Sequence, residues 1–210
     1  FPPESYWPEI QRICRQYDVL LCADEVIGGF GRTGEWFAHE YFGFEPDTLS
    51  IAKGLTSGYQ PLGACLFSER IWQVIAEPGQ GRCFTHGFTY SGHPVACAAG
   101  LATMKLLEDD ALIQQAADLA PQFESMLHGL KGAKHIVDIR NCGLAGAIQL
   151  APRGGDPTIR PFEAGMALWK AGFYVRFGGD ALQFGPMFNA RPEDLDRVFD
   201  AVGSVLNTLD

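Results

Sequence analysis

Thr48-Leu49-Ser50-Ile51-Ala52-Lys53-Gly54-Leu55 is the stretch on which the fold turns. A short apolar run, bounded by Pro46-Asp47 before it and Gly54 after it, ends abruptly in an amine. Such a run reads as a buried strand. It would deliver Lys53 to the carboxyl edge of a sheet, partly out of water. Desolvation disfavours an ammonium ion and lowers its pKa, which is how a lysine becomes a nucleophile toward carbonyl compounds. A solvated strand-end lysine is the plainer reading of the same residues, because most lysines reach water.

Upstream, Val19-Leu20-Leu21-Cys22-Ala23 is a second continuous apolar strand, and it ends in Asp24-Glu25. Ahead of it, Ser5 is placed to cap a helix running to about Tyr17, with Ile10, Ile13 and Cys14 on one face. The loop Gly28-Gly29-Phe30-Gly31-Arg32-Thr33-Gly34 follows, then a short aromatic helix near Trp36–Phe42, the Thr48–Ala52 strand and a strand over Gly63–Phe67. Strands apolar throughout, alternating with helices, predict an α/β fold with a largely parallel sheet. A loop rich in Gly, Thr and aromatic residues runs from Pro78 to Pro94, and helices are expected over Val95–Leu107 and Leu112–Leu127. The pattern then changes. His135–Arg140 and Leu144–Leu150 read as strands around a turn at Asn141-Cys142-Gly143. A helix over Pro161–Ala171, short strands at Phe173–Arg176 and Ala181–Phe184, and a helix over Pro192–Leu209 complete a separate small α+β domain from residue 130.

Composition narrows the function. With 210 residues and 47% hydrophobic content the chain is an ordinary globular one. A net charge of −9 argues against a nucleic-acid partner. No apolar run is long enough to span a membrane, and Phe1-Pro2-Pro3-Glu4-Ser5 is no signal peptide; lacking a first methionine, the chain is expected to begin mid-gene. Six cysteines without a CxxC pair read as scattered buried thiols in a reducing cytosol, with no zinc site and no metal.

The chemistry concentrates on two residues. An acid at the end of a buried strand is costly unless a cation faces it. Arg32 could supply that cation and merely order the loop. A protonated ring nitrogen is the other candidate. Pyridoxal phosphate (PLP) needs a lysine for its Schiff base and a carboxylate that keeps the pyridine nitrogen protonated; Lys53 and Asp24 satisfy both. Gly29-Phe30-Gly31-Arg32-Thr33-Gly34 also matches the G-x-G-x-x-G pattern of dinucleotide-dependent oxidoreductases. The preceding acids disfavour a pyrophosphate there, and the following segment is too short for a crossover helix. His86–Pro94 carries hydroxyls and backbone N–H groups ahead of a helix and could hold a phosphate, or Ser91 could simply cap that helix. Arg176, between aromatic residues and followed by Gly178-Gly179, suits bidentate carboxylate binding; an ion pair with Asp180 competes.

Asp24-Glu25-Val26-Ile27-Gly28-Gly29-Phe30-Gly31-Arg32-Thr33-Gly34, followed by Ser50-Ile51-Ala52-Lys53-Gly54-Leu55-Thr56-Ser57-Gly58, resembles the signature of class III (omega) aminotransferases in spacing, order and flanking residues. His86–Pro94 and the tail from Asp138-Ile139-Arg140-Asn141-Cys142-Gly143-Leu144 to Ala151-Pro152-Arg153 look like the omega-amino acid–pyruvate (beta-alanine–pyruvate) branch. The likeness implies the type I PLP-dependent fold, with residues 1–129 the C-terminal part of the large PLP-binding domain and its mixed sheet, and 130–210 the small C-terminal α+β domain. It implies that Lys53 forms the Schiff base with pyridoxal 5′-phosphate and shuttles the proton, that Asp24 binds the pyridine nitrogen and that Val26 packs on a ring face. Thr89 would bind the phosphate in the neighbouring subunit of a homodimer, with Phe88 lining that subunit's substrate pocket. Arg176 would receive the substrate carboxylate. The implied activity is a ping-pong transfer of an amino group from an omega-amino acid or amine to pyruvate, in the cytoplasm. Family members are much longer, so the chain is expected to be the C-terminal part of such an enzyme, without its Gly-Ser phosphate loop and its ring-stacking aromatic residue. An inactive fragment serving only as a structural piece is the alternative. Gln183-Phe184-Gly185-Pro186-Met187-Phe188 departs from the family's usual Ser-Pro-Pro pattern.

Overall fold

The computed structural model describes residues 1–77 and 84–210. Part of the loop expected from Pro78, with Cys83, lies outside the described residues. The chain divides into two compact units: one comprises Pro2–Gly31 and Glu35–Ile113, the other Arg32–Gly34 and Gln114–Asp210.

In the first unit, helix α1 (Tyr6–Gln16) lays Trp7, Ile10 and Cys14 against Leu21, Ala23 and Phe44. Trp7 and Phe44 stack with centroids 4.1 Å apart. Ile13, expected on this face, is exposed. Strand β1 (Cys22–Asp24) begins three residues later than the apolar run suggested. Its burial alternates: Leu21, Ala23 and Glu25 point inward, Cys22 and Asp24 outward, as successive residues of any strand must. Helix α2 (Ala38–Phe42) is five residues long and stops at Gly43 in the left-handed conformation. Strand β2 (Thr48–Ile51) pairs parallel with β1 and antiparallel with β3 (Ala64–Phe67), in the order β1-β2-β3. The sheet described is therefore mixed, as the family resemblance implies, and not largely parallel as the apolar strands by themselves suggest. A 3-10 turn over Lys53–Leu55 begins two residues past β2, and the residues after it bring the chain back alongside in the opposite direction. Helix α3 (Glu69–Ala76) was not expected from the sequence. Helix α4 (Pro94–Asp109) brings its small residues close: Gly100 leaves room for Leu62 and for the Leu55 carbonyl.

The second unit packs helices on an antiparallel sheet. It contains α5 (Leu112–Gly129) from Gln114 onward, β4 (Ile136–Cys142), β5 (Ala145–Leu150), α6 (Ile159–Lys170), β6 (Arg176–Gly178), β7 (Ala181–Phe184) and α7 (Pro192–Thr208). The sheet order is β4-β5-β7-β6, antiparallel throughout. The β4–β5 turn is Gly143-Leu144, because Cys142 still pairs with Ala145. Gly143 has φ +52, and a Cβ there would sit 2.6 Å from the Arg32 carbonyl oxygen, so only glycine fits. Phe123, Leu127, Leu144, Ile148, Leu168, Leu182, Val202 and Leu206 are wholly buried in one core, each contributing about 1.5–3 kcal/mol by leaving water.

Candidate active site

Parallel pairing of β1 with β2 puts their carboxyl ends on one edge of the sheet. Asp24, the last residue of β1, pairs with Ser50, and Lys53 follows Ser50 by three residues. The two groups singled out in the sequence therefore lie at the same edge, contributed by adjacent strands. Both side chains are exposed. This corrects the expectation that the strand would hold Lys53 partly out of water: the 3-10 turn carries it beyond the strand end.

The backbone of Lys53 is unusual. Its φ is +43, a left-handed conformation that costs a non-glycine residue about 1–2 kcal/mol and clusters at functional sites. The surroundings hold it there. Leu55 N–H donates to the Ala52 carbonyl at 3.0 Å and Thr56 N–H to the Lys53 carbonyl at 3.2 Å. Leu55 and Thr56 are buried, and Thr56 Oγ1 donates to the Gln60 carbonyl at 2.6 Å. Gly54 packs on Phe30, where a Cβ would meet the Phe30 Cβ at 2.9 Å. Phe30 is buried, and its N–H donates to the Trp36 carbonyl at 2.6 Å. The loop after Asp24 thus buttresses the turn that carries Lys53, a role for Phe30 that its place in the glycine-rich stretch did not disclose.

Asp24 Oδ1 accepts the Val26 N–H at 3.1 Å. Arg32 does not neutralise it. Its Nη1 donates to the carbonyls of Leu144 (3.1 Å) and Pro186 (2.7 Å), with the guanidinium over the Phe188 ring at 4.8 Å. All these partners belong to the second unit, as Arg32 itself does. Burial pushes the Arg32 pKa below its ordinary value. Among the described residues, the Asp24 carboxylate has no cationic partner and the Lys53 ammonium has neither ion pair nor side-chain hydrogen bond. An acid without a cationic partner and an amine without an ion pair or side-chain hydrogen bond, at one sheet edge, fit a ligand that offers a protonated nitrogen and a carbonyl, as PLP does.

The glycine-rich loop leads into the five-residue α2 and not into a long crossover helix, which removes the context a dinucleotide site needs. Phe88 and Thr89 are exposed at a turn closed by Ser91 Oγ, which accepts the Phe88 N–H at 2.8 Å. Ser91 does not cap α4; His93 occupies that position, with Pro94 at the first helical residue. His86 meets Phe84 at a tilt and Phe88 edge to face.

In the second unit, Arg176 opens β6 and is exposed, and it makes no ion pair with Asp180. Asp180 instead accepts from Gln149 Nε2 at 2.7 Å. Gly179-Asp180 form the β6–β7 turn, since Gly178 pairs with Ala181; Gly179, at φ +58, serves the turn. The thiols also differ from expectation. Of the described cysteines only Cys142 is buried; Cys22 is exposed because β1 turns alternate residues outward, and Cys65 because all of β3 is exposed; none of the five is in a disulfide. Among the described residues no group of His, Cys, Asp and Glu could hold a metal, and no helix is long and apolar enough to cross a membrane.

Residues 1–206 match the model of the aminotransferase class-III family, and the chain belongs to that family. It is 60% identical over 209 residues to the beta-alanine–pyruvate aminotransferase of Pseudomonas aeruginosa, covering 98% of this chain and 47% of that protein. It is 60% identical over 211 residues to the omega-amino acid–pyruvate aminotransferase of Pseudomonas putida, covering 99% and 47%. The crystal structure of the omega transaminase from Pseudomonas jessenii in complex with PMP superposes with a TM-score of 0.91 at 35% identity, over 98% of this chain and 47% of that one. The fold is that of the type I PLP-dependent transferases. The chain spans about half the length of the curated relatives it matches.

Proposed function

We propose that this chain supplies the lysine and the acid of a PLP-dependent transaminase that moves an amino group from an omega-amino acid or amine to pyruvate. The observation that carries the reading is the pair Asp24 and Lys53, exposed and without ion pairs at the carboxyl ends of adjacent parallel strands. The names of the two Pseudomonas relatives support the substrates, and the PMP-bound P. jessenii enzyme supports the cofactor class. Bound at this edge, PLP would supply an electron-poor ring that stabilises negative charge on the substrate carbon bearing the nitrogen.

The chain's own residues do the rest. Asp24 would keep the ring nitrogen protonated, and Val26 would pack against a ring face. Lys53 Nζ would hold the cofactor and, as the free amine, would take the proton from the substrate carbon and deliver it to the cofactor side of the nitrogen. Arg176 binds the substrate carboxylate with its planar fork. Thr89 holds the phosphate and Phe88 lines the substrate pocket of the neighbouring subunit in a homodimer of the cytoplasm. Residues 1–129 act as part of the PLP-binding domain and 130–210 as the small domain.

Incubating the chain with PLP, beta-alanine and pyruvate tests this. Alanine should form, and Lys53→Ala should abolish it; transfer that survives Lys53→Ala refutes the assignment. A second reading, in which the chain is only a structural piece of such an enzyme, draws on the exposure of all four β3 residues. Uptake of PLP without any transfer favours that reading.

A further inference from the structure

Glu25 has no part in the function just proposed, yet it is the only carboxylate buried among the described residues, at 2% exposure. A carboxylate out of water is costly unless donors meet its oxygens. Here Oε2 accepts the Ala38 N–H at 2.9 Å. Oε1 accepts the His39 N–H at 2.7 Å and lies 3.2 Å from His39 Nδ1. The main chain is used as fully: Glu25 N–H donates to the Ser50 carbonyl at 2.9 Å, and the Glu25 carbonyl accepts the Gly29 N–H at 3.0 Å. One residue thus ties together β2, the turn after β1 and the start of α2. There is no slack around it, since a Cβ on Gly28 would lie 2.8 Å from Glu25 Oε2 and 2.6 Å from the Ala38 Cβ. His39 is itself held between aromatic rings, stacked on Phe37 and edge-on to Phe44. Neighbouring strand residues point to opposite sides, so anchoring Glu25 inward sends Asp24 outward.

We propose that Glu25 is a positioning residue for Asp24. Its carboxylate clamps the Asp24–Gly29 turn onto the first residues of α2 and so fixes the direction in which the Asp24 carboxylate faces the cofactor. The inference rests on the function proposed above and adds a residue to it. A glutamine of the same shape cannot replace the clamp, because its NH2 would face backbone N–H donors.

The test compares the chain with Glu25→Gln and with His39→Phe, which keeps an aromatic ring for the stack and the backbone donors and removes the Nδ1 contact to Glu25. Two quantities are read: hydrogen exchange at the Val26 and Gly29 amides without cofactor, and the PLP dissociation constant by absorbance titration. In Glu25→Gln both amides should exchange at least about tenfold faster and PLP should bind about tenfold more weakly, a misplaced group being enough for such losses. Amides in β4 and β5 should not change. In His39→Phe both effects should be about threefold, a fraction of what losing an orienting partner outright costs. Unchanged exchange at Val26 and Gly29, or faster exchange with an unchanged dissociation constant, overturns the proposal. Should Glu25→Gln not fold, His39→Phe decides by the same readings. Should the unvaried chain take up no PLP, the proposed function is what fails, and amide exchange alone judges the clamp.

Discussion

The sheet that carries Asp24 and Lys53 and the C-terminal antiparallel sheet are built on opposite principles. Strand β5 alternates regularly between buried and half-buried residues, and helices α5, α6 and α7 close a core of wholly buried Phe123, Ile148, Leu168 and Leu206 over it. Strand β3 exposes all four of its residues, and the ends of β1 and β2 present an acid and an amine that form no ion pair within the chain. The difference separates two kinds of consequence. Changes in the C-terminal sheet and its helices should cost stability, because each buried group there has many partners. Changes at the β1–β2 edge should cost function, because the groups there interact with little of the chain itself.

The largest expected effect is at the edge. Asp24→Asn should lower amine transfer by about 10²–10³-fold, the loss typical of one preorganised electrostatic group. It should move unfolding free energy by no more than about 0.5 kcal/mol, as for an exposed residue away from structural features. A large fall in melting temperature would break the contrast. Phe123→Ala is the converse. Phe123 is wholly buried, meets Phe199 at 5.8 Å between centroids and lies within 3 Å of where a Gly146 Cβ would be. The cavity should cost about 3–5 kcal/mol in denaturant unfolding.

Arg32→Met sharpens the comparison. Arg32 sits eight residues after Asp24 in sequence but belongs to the second unit, where it holds the Leu144 and Pro186 carbonyls. Its loss should behave like a core change, costing about 1.5–3 kcal/mol for charged hydrogen bonds left unmade. The smallest effect is at Asp156, whose carboxyl is held below its ordinary value by the Thr158 hydroxyl and N–H at the start of α6. A depressed acid stabilises the fold above its unfolded-state pKa and loses that contribution as pH falls through the folded value. The melting temperatures of the chain and of Asp156→Ala should therefore differ slightly at neutral pH and converge as the pH drops below the aspartate range of about 3.9.

Much of this was legible residue by residue. Apolar runs ending in Asp24 and Lys53 announced two strand ends, and their parallel pairing placed both at one edge. The β4–β5 hairpin followed from two strand-like runs around Asn141-Cys142-Gly143, with the turn itself one residue further on at Gly143-Leu144. Strand direction was not legible, since four residues of β3 carry no mark of which way they run. Helix α3 does carry a signal, Ser68 followed by Ile71, Trp72 and Ile75 at helical spacing. The exposure of Lys53 could not be read because it depends on a 3-10 turn with a left-handed residue that no propensity predicts. Glu25 was hidden for a simpler reason: treated as one half of an acidic pair, it shared the fate of Asp24. Counting by twos from Leu21 through Ala23 would have put it inside.

Lys53, beside Asp24, is the proposed point at which a pyridine aldehyde is captured. Treating the chain with PLP, reducing with borohydride and mapping the label by peptide mass spectrometry reads this directly. The label should fall on Lys53 and be markedly weaker in Asp24→Asn. A label on Lys105, Lys131, Lys134 or Lys170 in its place, or equal labelling of Lys53 with and without the Asp24 carboxylate, would contradict it.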